Sequence, residues 1–161
     1  MVRLRYFALG LLLAAGFSPS AAAVDFAHDG HVDVYAALGT AETQDLLFGI
    51  VTDADGTVTL DTADTITADP DGIHVGGTVA SGDYALSGEP NQTLSVAITG
   101  STTNGMTIGN FTTNQADLNS VPLGAGGSAI LTVGADLTVD AATASVGTFQ
   151  PLNYTIAVTY N

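Results

Sequence analysis

No cysteine and no lysine occur anywhere in the chain, and its two strong cations, Arg3 and Arg5, sit at its very start. Each absence excludes something. Without cysteine there is no disulfide framework, although an exported chain would be free to use one. Without lysine there is no amine for the isopeptide crosslinks that brace some pilins. Stability has to come from packing and strand pairing alone.

The two arginines have a specific reading. Arg3 and Arg5 form a short positive n-region, and Leu9 to Phe17 form an apolar core too short to span a bilayer. Ser20-Ala21-Ala22-Ala23 supplies an A-x-A site. The pattern predicts a secretory signal peptide over 1–23, cleaved between Ala23 and Val24. Cleavage takes the formal charge from −14 to −16, because all sixteen acids follow Ala23. Such a chain cannot neutralise phosphates, so nucleic acid is excluded as a partner. Adsorption to an anionic membrane is disfavoured for the same reason. No later run is long enough for a membrane span after signal removal. The charge favours solubility and repulsion between copies.

Catalytic machinery is also lacking. There is no Gly-x-Ser-x-Gly elbow, no cysteine nucleophile, no lysine, and no arginine outside the signal. The chain is not expected to be an enzyme, and no cofactor is expected. His28 and His31 fall on opposite faces of an extended strand, so they do not converge on a metal there, and no acid or cysteine cluster supports His74. Asp53, Asp55, Asp69 and Asp71 have the oxygen chemistry for calcium but not the spacing of an EF-hand loop. Turn geometry explains them better, with weak calcium screening of the surface left open. Three sequons, at Asn91, Asn110 and Asn153, are of the kind that arise by chance in a threonine-rich sequence, and they receive no role.

What the chain does have is strand signal. The region after Ala23 is rich in Thr, Val, Ile and Leu and punctuated by Gly, Asn and Asp. Alternation is clear over 57–60, 94–99, 130–133 and 152–160. Turn signals separate these runs at 53–56, 69–72, 88–91, 104–105 and 124–127. Short strands at close spacing predict one all-β domain, an immunoglobulin-like antiparallel β-sandwich.

The two ends carry the most information. From Val24 to Leu38 the even positions are mostly apolar, while the odd ones are mostly acidic or polar. That is long for a strand, whose usual length is roughly 5–6 residues. Leu152, Tyr154, Ile156, Val158 and Tyr160 likewise share one face of a C-terminal strand.

From about Leu46 to Asn161 the chain resembles a family of small secreted bacterial proteins catalogued as domain of unknown function 4402. The residues that carry this are Asp45-Leu46-Leu47-Phe48-Gly49, a hairpin over 53–60, Gly76-Gly77, Gly88-Glu89-Pro90-Asn91, Leu131 to Leu137 and Asn153 to Tyr160. The resemblance implies a secreted β-domain and little else. The ends are also similar to those of chaperone–usher fimbrial subunits. Tyr160 stands in the place of their penultimate tyrosine, Gly147 in that of a glycine near the start of the final strand, and Gly30 in that of a small residue midway along a donor strand. His28 is an unusual pocket-filler in such a strand, and the disulfide of many such subunits is absent.

That second resemblance implies a mechanism and a division of the chain. A signal peptide (1–23) precedes an N-terminal donor strand (24–40) and the β-sandwich (41–161). Phe26, His28, Gly30, Val32, Val34, Ala36 and Leu38 would fill a neighbour's groove. Gly147, Leu152, Tyr154, Ile156, Val158 and Tyr160 would form the C-terminal strand that borders the groove and meets a chaperone. The expected function is a structural subunit of a surface fimbria assembled by donor-strand exchange. Its partners would be identical or related subunits, a periplasmic chaperone and an outer-membrane usher, and its location the surface of a Gram-negative bacterium, reached through the periplasm. The alternative is a self-complemented secreted monomer acting as an adhesin or binding module. A detached N-terminal segment favours exchange, and a docked one favours self-complementation.

Overall fold

A computed structural model describes residues 32–147 and 150–161. The chain divides into two units, 1–33 and 34–161, and the architecture below is that of the second. In chain order its strands are β1 (Gly39–Gln44), β2 (Leu47–Val51), β3 (Gly56–Leu60), β4 (Ile66–Ala68), β5 (His74–Ala80) and β6 (Gly82–Ser87). There follow β7 (Thr93–Gly100), β8 (Thr102–Thr103), β9 (Met106–Thr113), β10 (Val121–Pro122), β11 (Ser128–Val139) and β12 (Tyr154–Tyr160). Among the described residues there is no helix, and every strand pairing is antiparallel. The expected antiparallel sandwich is what the chain forms.

The large sheet is built around β11. Its twelve residues pair first with β6, through Val133, and then with β3, from Ala135 onward. β9 takes the opposite edge, β1 extends the sheet beyond β6, and β4 extends it beyond β3. Gly134 stands at the handover from β6 to β3. A Cβ there would lie 2.4 Å from the Leu60 carbonyl oxygen, so only glycine lets the two strands share that edge. Opposite this sheet lie a three-stranded sheet, β10-β7-β12, and a two-stranded ribbon, β2-β5.

Alternation along β11 fills the core. Leu131, Val133, Ala135, Leu137 and Val139 all point inward and are buried. The first two join Tyr84, Leu86, Leu94, Val96, Val121 and Leu123 in a cluster between the large sheet and β10-β7-β12. The other three join Phe48, Val58, Leu60, Ile73, Met106 and Ile108 in a second cluster, under the ribbon. Each fully buried Leu or Ile side chain contributes roughly 1.5–3 kcal/mol through removal from water.

The strands expected over 57–60, 94–99 and 130–133 lie within β3, β7 and β11. Two expectations need correction. Asp53 to Gly56 is a turn but not a hairpin: β2 pairs β5 and β3 pairs β11 and β4, so the turn carries the chain from ribbon to large sheet. Asn104-Gly105, with φ of 50° and 73°, is a hairpin turn and joins β8 to β9. Second, the strand expected to reach Leu38 is absent from its described part, because residues 32–38 lie in no strand and β1 starts at Gly39. The physical reason lies in Ala36. Its N–H goes to the Glu89 carboxylate at 3.0 Å and its carbonyl to the Tyr160 hydroxyl at 2.7 Å, side-chain partners rather than a strand ladder.

Candidate functional site: a groove between two strand edges

β12 is an edge strand. It pairs with β7 along its whole length, from Tyr154 opposite Gly100 to Tyr160 opposite Leu94, and has no second partner among the described residues. Tyr154, Ile156, Val158 and Tyr160 are half-buried on the core side, whereas Thr155, Ala157 and Thr159 are exposed. The structure therefore brings the predicted face together as one row. Leu152 packs just ahead of the strand, which begins two residues later than the sequence pattern suggests. Gly147 is not at the strand's start; it lies in the irregular stretch before it, where a Cβ would meet the Gln150 side-chain nitrogen at 2.5 Å.

A groove of about 910 Å³ opens between β2 and the residues Ala144 to Gly147 and Gln150 to Leu152 that precede β12. Consecutive residues of β2, from Leu47 to Val51, line it, so the strand presents its backbone edge and not one face. That edge has no strand partner among the described residues, since β2 pairs only β5. The buried side chains of Phe48, Met106, Leu137 and Val139 also line the groove. Its charged lining is Glu42, Asp45 and Asp53, all exposed, with no cation.

The shape of the β2 wall depends on glycine. Gly49, Gly76 and Gly77 have φ of 72°, 127° and 90°, and the β2–β5 register shifts around them. A Cβ on Gly49 would lie 2.4 Å from the Gly76 carbonyl oxygen and 2.9 Å from His74 Nε2, a buried nitrogen without a partner.

A polar cluster borders one end of the groove. The Tyr84 hydroxyl donates to Glu42 Oε1 at 2.9 Å, and the hydroxyls of Tyr84 and Tyr154 hydrogen-bond directly. Their rings meet edge to face with centroids 6.2 Å apart. Burial pushes both phenols above the usual tyrosine range; for Tyr84 the hydrogen bonds to Tyr154 and Glu42 act in the same direction. Both are neutral hydrogen-bonding groups at physiological pH. A smaller polar recess of about 340 Å³ continues past them, between β1 and β12, sharing Glu42, Leu152 and Tyr154 with the groove.

The predicted donor residues have mixed fates. Phe26, His28 and Gly30, and with them His31, lie outside the described residues. Val32 and Val34 are more than four-fifths exposed. Ala36 and Leu38 are docked at the Tyr160 end of β12, where Tyr35 meets Tyr160 edge to face at 5.2 Å and Leu38 packs on the core. Sequence reading missed Glu42, Tyr84 and the β2 edge. Gly49, beside an apolar run, was the available signal for an irregular strand there.

Three of the four aspartates singled out for calcium, Asp55, Asp69 and Asp71, hold backbone amides. Asp69 accepts from Ile73 at 2.9 Å and His74 at 3.1 Å, Asp71 from Thr57 at 3.3 Å, and Asp55 from Ala141 at 2.7 Å. Among the described residues no three His, Cys, Asp or Glu side chains gather around a common point.

The fold and groove define an antiparallel sandwich with two unpartnered strand edges beside an apolar-floored cleft. The family model described as "Domain of unknown function (DUF4402)" matches residues 38–160, and the chain belongs to that family. The match begins at Leu38, directly before β1, and ends with Tyr160, the last residue of β12. No curated protein and no solved structure matches the chain.

Proposed function

We propose that this protein is an exported structural subunit, without enzymatic activity, that builds a surface fimbria by donor-strand exchange. The N-terminal arm of one copy would enter the groove of the next. The observation that carries this reading is the unpaired edge of β12 beside the apolar groove. A strand with a free ladder and a half-buried row of Tyr154, Ile156 and Val158 is suited to accept another strand. The arm fits the other half of the mechanism. Val24 to Val34 alternates, and Val32 and Val34 are exposed and outside any strand. Each new main-chain hydrogen bond would contribute about 0.5–1.5 kcal/mol, and each buried Val or Phe roughly 1.5–3 kcal/mol. The similarity of the two ends to chaperone–usher subunits adds a periplasmic chaperone, an outer-membrane usher and a Gram-negative surface to the proposal.

A second reading is a self-complemented monomeric adhesin or binding module. The docking of Tyr35 to Leu38 against the chain's own Tyr160 favours it. Removing residues 24–34 from the secreted protein separates the two. Exchange predicts that filaments seen by electron microscopy disappear while a folded domain remains. Filaments that survive the deletion overturn the exchange reading. A full-length protein that stays a cooperatively folded monomer at every concentration supports the second.

A further inference from the structure

The proposed occupant of the groove has the wrong charge for it. The arm Val24–Val34 carries Asp25, Asp29 and Asp33 and no lysine or arginine. The groove is lined by Glu42, Asp45 and Asp53, also without a cation. Outside the first five residues the chain has no lysine or arginine, and the α-amino group freed at Val24 is one positive charge against three aspartates in the arm and three acids on the lip. Apolar side chains and free ladder groups favour insertion, while like charges on arm and lip oppose it. Salt decides which prevails. The screening length is roughly 30 Å at 0.01 M and roughly 3 Å at 1 M, so exposed carboxylates facing across a cleft repel at the first and ignore one another at the second.

Resting on the strand-exchange reading, we infer that entry of one copy's arm into another copy's groove is gated by ionic strength. The arm's three aspartates keep subunits apart in dilute salt and allow assembly where salt is high. The partner is a second copy of this chain, and the regulated step is strand insertion at the groove between β2 and the stretch leading into Tyr154 at the start of β12. The burial that follows is not salt-dependent in the same sense, so an assembled filament survives dilution longer than it takes to form.

The test uses the complete secreted protein from Val24 and a variant carrying Asp25→Asn, Asp29→Asn and Asp33→Asn. Both are incubated in NaCl from 0.01 to 1 M and followed by sedimentation velocity, with electron microscopy of the products. For the unsubstituted protein the assembly rate should rise at least about tenfold across the series. The variant, which keeps the other thirteen acids, should assemble faster than the unsubstituted protein in 0.01 M salt and show a clearly shallower rise with salt. Equal salt dependence in the two proteins overturns the gate but leaves strand exchange standing. Failure of both to assemble at any salt overturns the strand-exchange reading itself. Circular dichroism of the variant confirms that the sandwich is intact, because the substitutions lie outside both core clusters.

Discussion

The Tyr160 hydroxyl accepts the Glu89 N–H at 2.6 Å and gives its own proton to the Ala36 carbonyl at 2.7 Å. One phenol thus ties the segment ahead of β1 to the last strand and to the turn after β6. Tyr160→Phe keeps the ring and its contact with Tyr35 and removes only the two hydrogen bonds. The expected loss is about 1–3 kcal/mol, read as a lower urea midpoint with unchanged slope. An unchanged midpoint would show that this tie contributes nothing.

The Tyr84–Tyr154 pair predicts sensitivity to alkali. Burial raises both phenols above their usual value of 10 in the folded chain. Below about pH 10 both are protonated whether folded or not, so stability does not respond to them. Above it the unfolded chain ionises first, and the folded state loses ground as pH climbs towards the folded values. Denaturation midpoints measured from pH 8 to 11 should fall at the alkaline end. Tyr84→Phe should flatten that fall, even though it lowers stability at neutral pH. Parallel alkaline limbs in the two proteins would refute the assignment.

Asp64 predicts the opposite limb. Its backbone is left-handed, with φ of 58°, and its carboxylate accepts both the Ser81 N–H at 2.7 Å and the Ser81 hydroxyl at 2.8 Å. The backbone hydrogen bond from Ser81, then the hydroxyl, holds the carboxyl below its ordinary value of 3.8. The stability this provides is present above the ordinary value and disappears as pH falls through the folded one. Asparagine tolerates the same backbone and keeps an acceptor oxygen. Asp64→Asn should therefore make stability between pH 6 and 3 less dependent on pH, as thermal melts across that range would show.

Gly49 predicts a sharp contrast between glycines. A side chain there meets both a positive φ and the Gly76 carbonyl at 2.4 Å. Gly49→Ala should destabilise by more than the roughly 1–2 kcal/mol of backbone strain alone. At Gly126 the nearest atom to an added Cβ is 3.9 Å away, and Gly126→Ala should stay within about 0.5 kcal/mol of the parent. Guanidinium titrations of the two proteins make the comparison.

Sequence pattern was strongest where one face of a strand is wet. β3, β7 and β12 alternate between Thr or Ser and Leu, Ile or Val, and their period could be read directly. β5 and β9 were less legible. His74-Val75-Gly76-Gly77 spends its glycines on bulges, and Met106 to Thr113 has Gly109 and Asn110 in the middle of the strand. Which turns are hairpins was hidden for a different reason. Asp-Gly marks a reversal, but whether the flanking strands then meet depends on partners far along the chain, such as Ala135–Val139 for β3. The arm's alternation was visible from Val24, yet the docking of Tyr35 to Leu38 onto Tyr160 was not, since a phenol and a carboxylate replace the ladder there. The groove's β12 side was legible from parity; its β2 wall was not, because Leu47 to Val51 presents an edge and carries no alternation.

β11 has a consequence for when the molecule can fold. It is the central strand of the large sheet and supplies residues to both core clusters, yet it lies late in the chain, at 128–139. β3, β6 and β9 meet β4, β1 and β8 earlier but are joined into one sheet only through it, and β7, which meets β10 first, gains its long partner β12 at the very end. Until those segments have been synthesised, the earlier strands have no partner with which to close a core, and distant pairings of this kind form slowly. A chain ordered in this way cannot close either core cluster until nearly all of it has been made.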